Sequence, residues 1–590
     1  MSPISGAGPE ARPKPHEAGQ GARARARGGT RFPSLLIDCI SRPEDPAPLR
    51  EAETLLQEAL KETPDTPALL LALADLYVRM RRFELAANAY ARTLSVAPSE
   101  AAAYARLGAL MWHMGRADDS IGFFDCALNF DPGNVEALIN RLTVTARMAD
   151  WSEPEAREEQ IARLKRSAEA IPPAATLCLT DDPGFHLAQA DRFAAALPRS
   201  AGSLHFATAP QDRLRIGYVG DLTQGNAAWR ALVAAHDADR TEVICYDLGA
   251  DSLDMAGVQR GKGPLHRPVQ HLTDEAVMQI ARDDGIDLAL DLDGLSARGR
   301  PGLMALRLAP LQIGGFTALG PMGGDMLDYM LSDPHLIPQD LRAGLSAQCL
   351  DLPSGAQFLG PAAAPDTHCP DRQMAGLPAG GIVFGVPAPL HLIDPVLFAC
   401  WMRLLRQVPG SALWMRACPS RVRARLRAQA EEQGVAGDRL VFGWLGVTAE
   451  RGGQTRAADL VLDCHVQSDR RGVNLALLHG VPVVTLAGRS VSARHAAGLL
   501  HQLDMPELVA DRIEDYEGIA LSLAQEADLR ADVQVKLAQA HLASPLFNAA
   551  YFVEELEAAL RLCRDRVRDG HPPGGISSGA MTLRAFGAQG

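Results

Sequence analysis

This sequence of 590 residues lacks metal-ligand spacings, long apolar runs and an excess of basic residues. Its ten cysteines stand singly, without a CxxC pair, so we expect reduced thiols in a cytoplasmic protein and no metal site. No apolar run is long enough to cross a membrane, and the N-terminus lacks the apolar core of a signal peptide. The net charge of −13 argues against nucleic acid as the main partner, because binding phosphate groups needs a basic face.

The front of the chain carries a repeat. Pro64, Pro98 and Pro132 stand 34 residues apart, and each ends a stretch of helical apolar pattern. That period is typical of the tetratricopeptide repeat, in which small residues let paired helices approach closely and a proline ends the unit. An ordinary helical bundle is the alternative. Because stacked repeats present a concave surface, we expect them to bind a partner or acceptor protein.

Composition divides the chain further. We expect a disordered tail over 1–30, rich in Pro, Gly, Ala and Arg, then the repeat array over 31–170 and a helical connector over 171–210. The abundance of alanine and the surplus of arginine over lysine are typical of a bacterial high-GC genome. The remaining predicted segments are an N-terminal lobe, an interlobe linker, a C-terminal lobe and a flexible tail, at 211–365, 366–381, 382–565 and 566–590.

Beyond Arg213, short apolar and β-branched runs alternate with helical stretches. Such alternation predicts parallel sheets with crossover helices. We therefore predict an α-solenoid of tetratricopeptide repeats followed by an α/β region of two Rossmann-like lobes, with ligands bound at the carboxyl ends of the strands. The predicted strands are Leu214–Val219, Glu242–Asp247, Asp287–Leu292, Gln312–Phe316, Ile382–Val386, Ala412–Met415, Leu440–Phe442, Leu460–Asp463 and Val481–Leu486.

Several motifs in this region resemble one family. After the repeats come RLRIGYVGD, DLDGLSARGR, APLQIGGFTALGP and LDYMLSD, and later IDPVLFACWMRLLRQVPGSALW, ADLVLD and GVPVVTLAGRSVSARHAAGLL. In this order they resemble the catalytic region of O-GlcNAc transferase and the SPINDLY proteins. The resemblance implies a two-lobed, metal-independent glycosyltransferase that moves a sugar from a nucleotide donor, usually UDP-linked, to protein Ser/Thr. It implies no cofactor besides that donor, and repeats that select the acceptor.

The scaffold motifs of the family are present, whereas the residues that carry its chemistry are replaced. The stretch Gly220–Ala227, where the family has a cleft histidine, contains none. Pro389 and Leu392 stand where the family has a glutamine and the lysine that contacts the diphosphate, and Leu475 stands in place of the aspartate for the ribose. The family's phosphate-binding turn aligns with Asp469–Gly472.

Arginines are the candidate replacements. Arg470 and Arg471 lie in the altered turn, and Arg451 stands where the family has a histidine or an aromatic residue. The three side chains can offer positive charge to a diphosphate. His391 lies beside the position of the lost lysine. The alternative is that the altered turn is a solvated loop, since Asp469 adds a repelling charge there.

Other candidate residues come from the same motifs. Gly472 belongs to the turn whose amides would hold a phosphate at a helix N-terminus, and Gly320 begins a glycine-rich run that in the family approaches the sugar. Asp221 is a weak catalytic candidate that could equally cap a helix. Asn226 can donate a hydrogen bond in place of the missing histidine but cannot shuttle a proton at neutral pH. Asp291-Leu292-Asp293 mimics a metal-binding DxD motif, although a strand-end turn is the preferred interpretation.

The losses leave two functions open. A charge-assisted hydrogen bond contributes roughly 1.5–3 kcal/mol, so losing three would cost roughly 5–9 kcal/mol, about four to six decades in affinity or rate. The first function is a protein O-glycosyltransferase with replaced phosphate contacts. The alternative is a catalytically degenerate relative that acts as a protein-binding adaptor or regulator through its repeats.

Overall fold

The computed structural model describes residues 46–200, 204, 206, 213–222, 226–249, 264–296, 299–315, 320–361, 372–443 and 454–576. Contacts between residues divide the chain into two compact units, Met1–Val144 and Thr145–Gly590. In the described part of the chain, no helix combines the length and the apolar character needed to cross a membrane.

The first unit consists of antiparallel helix pairs, which confirms the predicted repeats. Helix α2 pairs with α3 and α4 with α5, and the prolines Pro98 and Pro132 follow α3 and α5. A Cβ atom on Gly108 would lie 2.7 Å from the Phe124 ring, so the glycine is what lets α4 approach α5. The helices are α1 (Pro46–Glu62), α2 (Pro67–Arg79), α3 (Phe83–Val96), α4 (Ala101–His113), α5 (Ala117–Phe130) and α6 (Val135–Arg147), the last of which crosses the boundary between the units.

The second unit begins with two connecting helices and a seven-stranded sheet. The helices are α7 (Pro154–Arg166) and α8 (Pro183–Ala196). All neighbouring strands of the sheet are parallel, in the order β3-β2-β1-β4-β5-β6-β7. The elements are β1 (Leu214–Gly220), α9 (Asn226–Ala234), β2 (Thr241–Asp247), β3 (Leu265–Pro268), α10 (Asp274–Asp283), β4 (Leu288–Asp291), α11 (Pro301–Leu306), β5 (Leu311–Gly314), β6 (Tyr329–Ser332), α12 (Gln339–Arg342) and β7 (Gln348–Asp351).

A second parallel sheet of six strands follows, in the order β10-β9-β8-β11-β12-β13. Two sheets with crossover helices confirm the predicted pair of Rossmann-like lobes, and the structure adds β3, β6, β7 and β13 to the predicted strands. The elements are β8 (Val383–Val386), α13 (Pro395–Gln407), β9 (Ala412–Arg416), α14 (Ser420–Glu432), β10 (Leu440–Gly443), β11 (Leu460–Leu462), α15 (Arg470–Leu478), β12 (Val483–Leu486), α16 (His495–Gln502), β13 (Val509–Ala510), α17 (Ile513–Gln525), α18 (Ala527–Ala543) and α19 (Ala549–Arg568).

The last helix returns to the first lobe. Phe552, Leu556 and Leu560 of α19 are fully buried in the hydrophobic core of the first sheet. Beyond the helix, Ile576 forms a parallel bridge with Leu350 of β7. The C-terminal part of the chain therefore ties the two lobes of the second unit together.

Candidate functional site

A cavity lies between the two lobes of the second unit, at the carboxyl ends of the strands. Ligands of open α/β sheets bind at this edge. The second lobe contributes Arg470, the first residue of α15, which follows β11 in the chain. It also contributes His495, the first residue of α16. The complete lining is Gly315, Met330, Leu331, Leu336, Ile337, Ala356 and Gln357 from the first lobe, and Ser468, Arg470, Val491, Ser492 and His495 from the second.

Arg470 is the one cation that lines this cavity within the described part of the chain. Its Nη1 atom is buried and has no hydrogen-bond partner among the described residues. Burial lowers the pKa of Arg470 to about 10, while the carboxylates of Asp293 and Asp469 oppose that shift. The guanidinium is therefore charged at neutral pH. An unpaired buried donor is costly, so an anion in this cavity would meet a donor that is already in place.

Two further polar groups complete the cavity. Gln357 Nε2 donates to the carbonyl oxygen of His495 at 3.3 Å, and Gln357 Oε1 is buried without a partner among the described residues. His495 Nε2 lies 2.8 Å from Asn474 Oδ1, and burial followed by the charge of Arg470 lowers the pKa of His495 well below its usual value. The imidazole is thus neutral. A ligand with an anionic group and a hydroxyl would pair with Arg470 and Gln357 respectively.

The altered turn before α15 is repacked around a proline. A Cβ atom on Gly472 would lie 2.4 Å from Pro387 Cγ and 2.2 Å from Asp469 Oδ2, so no larger side chain fits there without movement. Asp469 Oδ2 is itself buried and unpaired among the described residues. Burial raises the pKa of Asp469, and the charge of Arg416 is the main opposing effect. The chain's own carboxylate therefore lies at the N-terminal end of the helix.

The structure places the remaining candidate residues of this lobe apart from the cavity. Arg471 is exposed, on a different side of the helix from Arg470. Burial and then the charges of Arg147 and Arg416 lower the pKa of His391 to about 4, so this imidazole is neutral at pH 7 and is not among the cavity's lining side chains. Arg451 lies outside the described residues.

The aspartates of the first lobe shape turns. The amide of Asp221 donates to Asp293 Oδ2. Asp291 Oδ1 accepts hydrogen bonds from the amides of Asp293 at 3.1 Å and Gly294 at 2.9 Å, and burial raises the pKa of Asp291 to about 7. No group of three His, Cys, Asp or Glu side chains among the described residues could hold a metal ion. The two amide hydrogen bonds to Asp291 make the DxD stretch a strand-end turn.

The glycine-rich run contacts the connector rather than the cavity in the described part of the chain. A Cβ on Gly320 would lie 3.2 Å from Leu177, and one on Gly323 would lie 2.2 Å from the backbone of Ala190 in α8. The amide of Gly324 donates to Asp191 Oδ1 at 2.8 Å. Residues 223–225 and 316–319 and the side chain of Asn226, which bear on the missing histidine and on this loop, lie outside the described residues.

Sequence reasoning missed Gln357 and His495. His495 lies within the motif GRSVSARHAAGLL, which was assigned to the scaffold. No signal in the sequence marks Gln357, because it reaches the cavity only when the two lobes come together.

Comparison with known proteins places this site in context. The family model for glycosyl transferase family 41 matches residues 203–365 and 357–556, and a tetratricopeptide-repeat model matches residues 49–111. One relative, the probable UDP-N-acetylglucosamine–peptide N-acetylglucosaminyltransferase SEC of Arabidopsis thaliana, is 27% identical over 361 residues, 58% of this chain and 36% of that protein. The probable SPINDLY enzyme of Hordeum vulgare is 25% identical over 371 residues, 61% of this chain and 39% of that protein.

The chain thus spans less than half the length of these curated relatives. Among solved structures, a mutant of the Thermobaculum terrenum O-GlcNAc transferase covers 95% of this chain and 100% of its own, with a TM-score of 0.62 and 23% identity. That likeness shows that the two proteins share a fold.

Proposed function

The chain belongs to glycosyl transferase family 41, and we propose that it transfers a sugar from a nucleotide donor to Ser or Thr hydroxyls of a protein. In this proposal Arg470 binds the donor's diphosphate in the cavity between the lobes, and the repeats bind the acceptor protein. The observation that carries it is the buried Nη1 of Arg470, which has no partner among the described residues and lines a cavity with a second unpaired atom, Gln357 Oε1.

The chemistry needs charge stabilisation above all. The acceptor oxygen forms a bond to the anomeric carbon, the bond from that carbon to the phosphate oxygen breaks, and the hydroxyl proton passes to an oxygen of the departing diphosphate. Negative charge develops on the departing diphosphate, where a fixed cation in a water-poor site is most effective. Among the described lining residues only Arg470 and His495 are titratable. Since His495 is neutral and bound to Asn474, Arg470 is the group that can stabilise that charge.

The adaptor function stays as the second candidate, and one observation favours it. Asp469 and Pro387 fill the space beside Gly472 in the first turn of α15, where helix amides would otherwise face an anion. If this turn excludes a diphosphate, the repeats alone carry the function, through protein binding.

Ligand-induced stabilisation separates the two functions. A ligand that binds only the folded chain raises its melting temperature in proportion to RT ln(1 + [L]/Kd). We expect UDP to raise the melting temperature of the wild type. Arg470→Met, which keeps the apolar length of the side chain, should weaken UDP binding about tenfold to a hundredfold, because a charge-assisted hydrogen bond contributes roughly 1.5–3 kcal/mol.

Arg471→Met is the matched control, since Arg471 is exposed. Its response to UDP should equal that of the wild type. If Arg470→Met keeps the full response, Arg470 is not the phosphate contact. If the wild type shows no response even at millimolar UDP, the adaptor function is favoured.

A further inference from the structure

Helix α16 contacts the first lobe along its length. Its first residue, His495, accepts the hydrogen bond from Gln357 described above. Its last residue, Gln502, donates through Nε2 to Asp333 Oδ2 at 2.7 Å. Between them, a Cβ atom on Gly498 would lie 3.3 Å from Leu336 of the first lobe. We call the contact of α16 and the preceding Val491 with residues 330–337, Cys349 and residues 355–357 of the first lobe the interlobe seam.

The apolar part of the seam is small. Met330, Ile337 and Cys349 of the first lobe form one buried cluster with Val491 of the second. Cys349 is 8% exposed there. Leu336, Leu341, Leu345 and Ala347 pack against this cluster partly buried, and the cluster is much smaller than the hydrophobic core of the first sheet. Polar contacts such as that of Gln502 with Asp333 therefore contribute to holding the seam.

Two histidines stack across the seam. The rings of His335, in the loop after β6, and His501, near the end of α16, lie 4.0 Å apart between centroids with 11° between their planes. His335 is exposed and His501 is half-buried, so both can exchange protons with solvent. The Nε atom of Arg494 donates to the carbonyl oxygen of His335 at 3.0 Å, which places a third cationic group at the stack.

Cationic and anionic side chains both lie near the two stacked histidines. Burial, then His335 and Arg494, lower the pKa of His501, whereas Asp333 and Asp511 raise it. Asp333 already accepts from the amides of His335 and Leu336 at 2.9 Å each, as well as from Gln502. Burial lowers the pKa of Arg494, and the charges of Asp511, Asp340, Asp181 and Asp333 oppose that shift. These carboxylates can balance one added proton beside Arg494, and a second proton would place like charges in contact.

We propose that the His335–His501 stack is an acid-sensitive latch that holds the two lobes closed. With both rings neutral, they pack face to face and the seam is shut. When both are protonated, two imidazolium rings and Arg494 repel one another at short range, and the seam opens. Because the pKa of His501 lies below the usual histidine value of about 6.5, the change falls in the acidic range. The latch concerns lobe closure, and it holds whether or not the cavity binds a nucleotide sugar.

Opening the seam would expose Cys349, which gives a direct readout. The measurement is the labelling rate of Cys349 by a thiol reagent in the full chain, divided by its rate in the urea-unfolded chain at the same pH. This ratio cancels the intrinsic pH dependence of the thiol. Between about pH 7.5 and about pH 4.5 we expect the ratio to rise about tenfold in the wild type, because local opening becomes easier. Cys245, 0% exposed in the first-lobe core, should keep its protection.

Substitutions of the two histidines test whether they cause the rise in the Cys349 labelling ratio at acidic pH. The double variant His335→Phe, His501→Phe keeps two stacked rings without charge, and its ratio should change less than about twofold over the same pH range. The double variant His335→Lys, His501→Lys places two fixed charges beside Arg494 and should raise the ratio already at about pH 7.5. His571→Gln, an exposed histidine elsewhere, should behave as the wild type.

A wild-type ratio that stays flat with pH overturns the latch. So does a full acid-induced rise in the double phenylalanine variant. If that variant does not fold, the double lysine variant decides, since an unchanged ratio at neutral pH contradicts the proposal.

Discussion

Gly472 shows at the scale of one residue why the altered phosphate turn is more than a set of lost side chains. A side chain at this position has no room, because Pro387 Cγ and Asp469 Oδ2 lie 2.4 Å and 2.2 Å from where its Cβ atom would be. The loop after β8 and the start of α15 are thus packed against each other. A larger residue at position 472 would therefore require the turn itself to move.

Adding one methyl group at Gly472 should destabilise the second unit. Gly472→Ala forces Pro387 or Asp469 to move, and overpacking of this kind costs about 1–3 kcal/mol. Gly518→Ala is the matched control, because Gly518 lies exposed in α17 with nothing within 4 Å of a Cβ atom. There the same change should stabilise by about 0.5–1 kcal/mol through helix propensity. Urea unfolding gives the change in the free energy of unfolding for each variant. Equal changes for the two substitutions would contradict the packing described here.

Helix α19 shows, at the scale of an element, that the sequence does not reveal which surface a helix packs on. Its apolar period predicts a helix, yet its chain position next to the second lobe gives no indication that it packs on the first sheet. Polar contacts also hold the helix there. His236 Nε2 lies 2.8 Å from Tyr218 Oη of β1, and His236 Nδ1 lies 2.8 Å from Glu557 Oε1 of α19. Helical period identifies a buried face but not the surface that covers it.

Truncating one side chain of α19 tests this packing. Leu556 is 0% exposed in the core of the first sheet, so Leu556→Ala should lower the free energy of unfolding by about 2–5 kcal/mol. Leu542 at the end of α18 is 92% exposed, and Leu542→Ala should change stability by less than about 0.5 kcal/mol. Chemical denaturation of the two variants and the wild type measures these changes in the free energy of unfolding. A small loss for Leu556→Ala would mean that α19 does not contribute to the first-lobe core.

The sequence predicted the helices and strands more completely than the residues of the interlobe cavity. Alternating apolar runs were enough to predict the central strands, because buried parallel strands have a strong local signal. Strand β3 is exposed or half-buried along its length and β13 has only two residues, so neither carries the buried apolar run that marks a central strand. The separate placement of Arg470 and Arg471 depends on how α15 meets the first lobe. Gln357 depends on closure of the lobes, which no local pattern encodes.

At the scale of the whole molecule, buried ionisable groups act on stability in opposite directions as the pH changes. Burial lowers the pKa of His479 to about 4 and raises that of Asp463 to about 7. A histidine whose folded pKa lies below its unfolded value of about 6.5 destabilises the fold as the pH falls from about 6.5 to about 4. A raised aspartate does the reverse, since its protonated form is favoured by folding. The net pH profile therefore does not isolate either group.

Comparing a variant with the wild type isolates the histidine. His479 is 7% exposed, and its Nδ1 has no partner among the described residues. The difference in unfolding free energy between His479→Gln and the wild type should shift in favour of the variant as the pH falls from about 6.5 to about 4, and should be constant above that range. His571→Gln, at an exposed position, should show no such trend. A constant difference for His479→Gln across the range would contradict the assigned direction.

The most direct test of the central claim is calorimetric titration of the intact chain with UDP and a panel of nucleotide sugars. Micromolar binding with one site per chain, weakened about tenfold to a hundredfold in Arg470→Met and unchanged in Arg471→Met, is the result predicted by a donor site in the interlobe cavity. No binding of any nucleotide at millimolar concentration would contradict that site, and would leave protein binding by the repeats as the function of the chain.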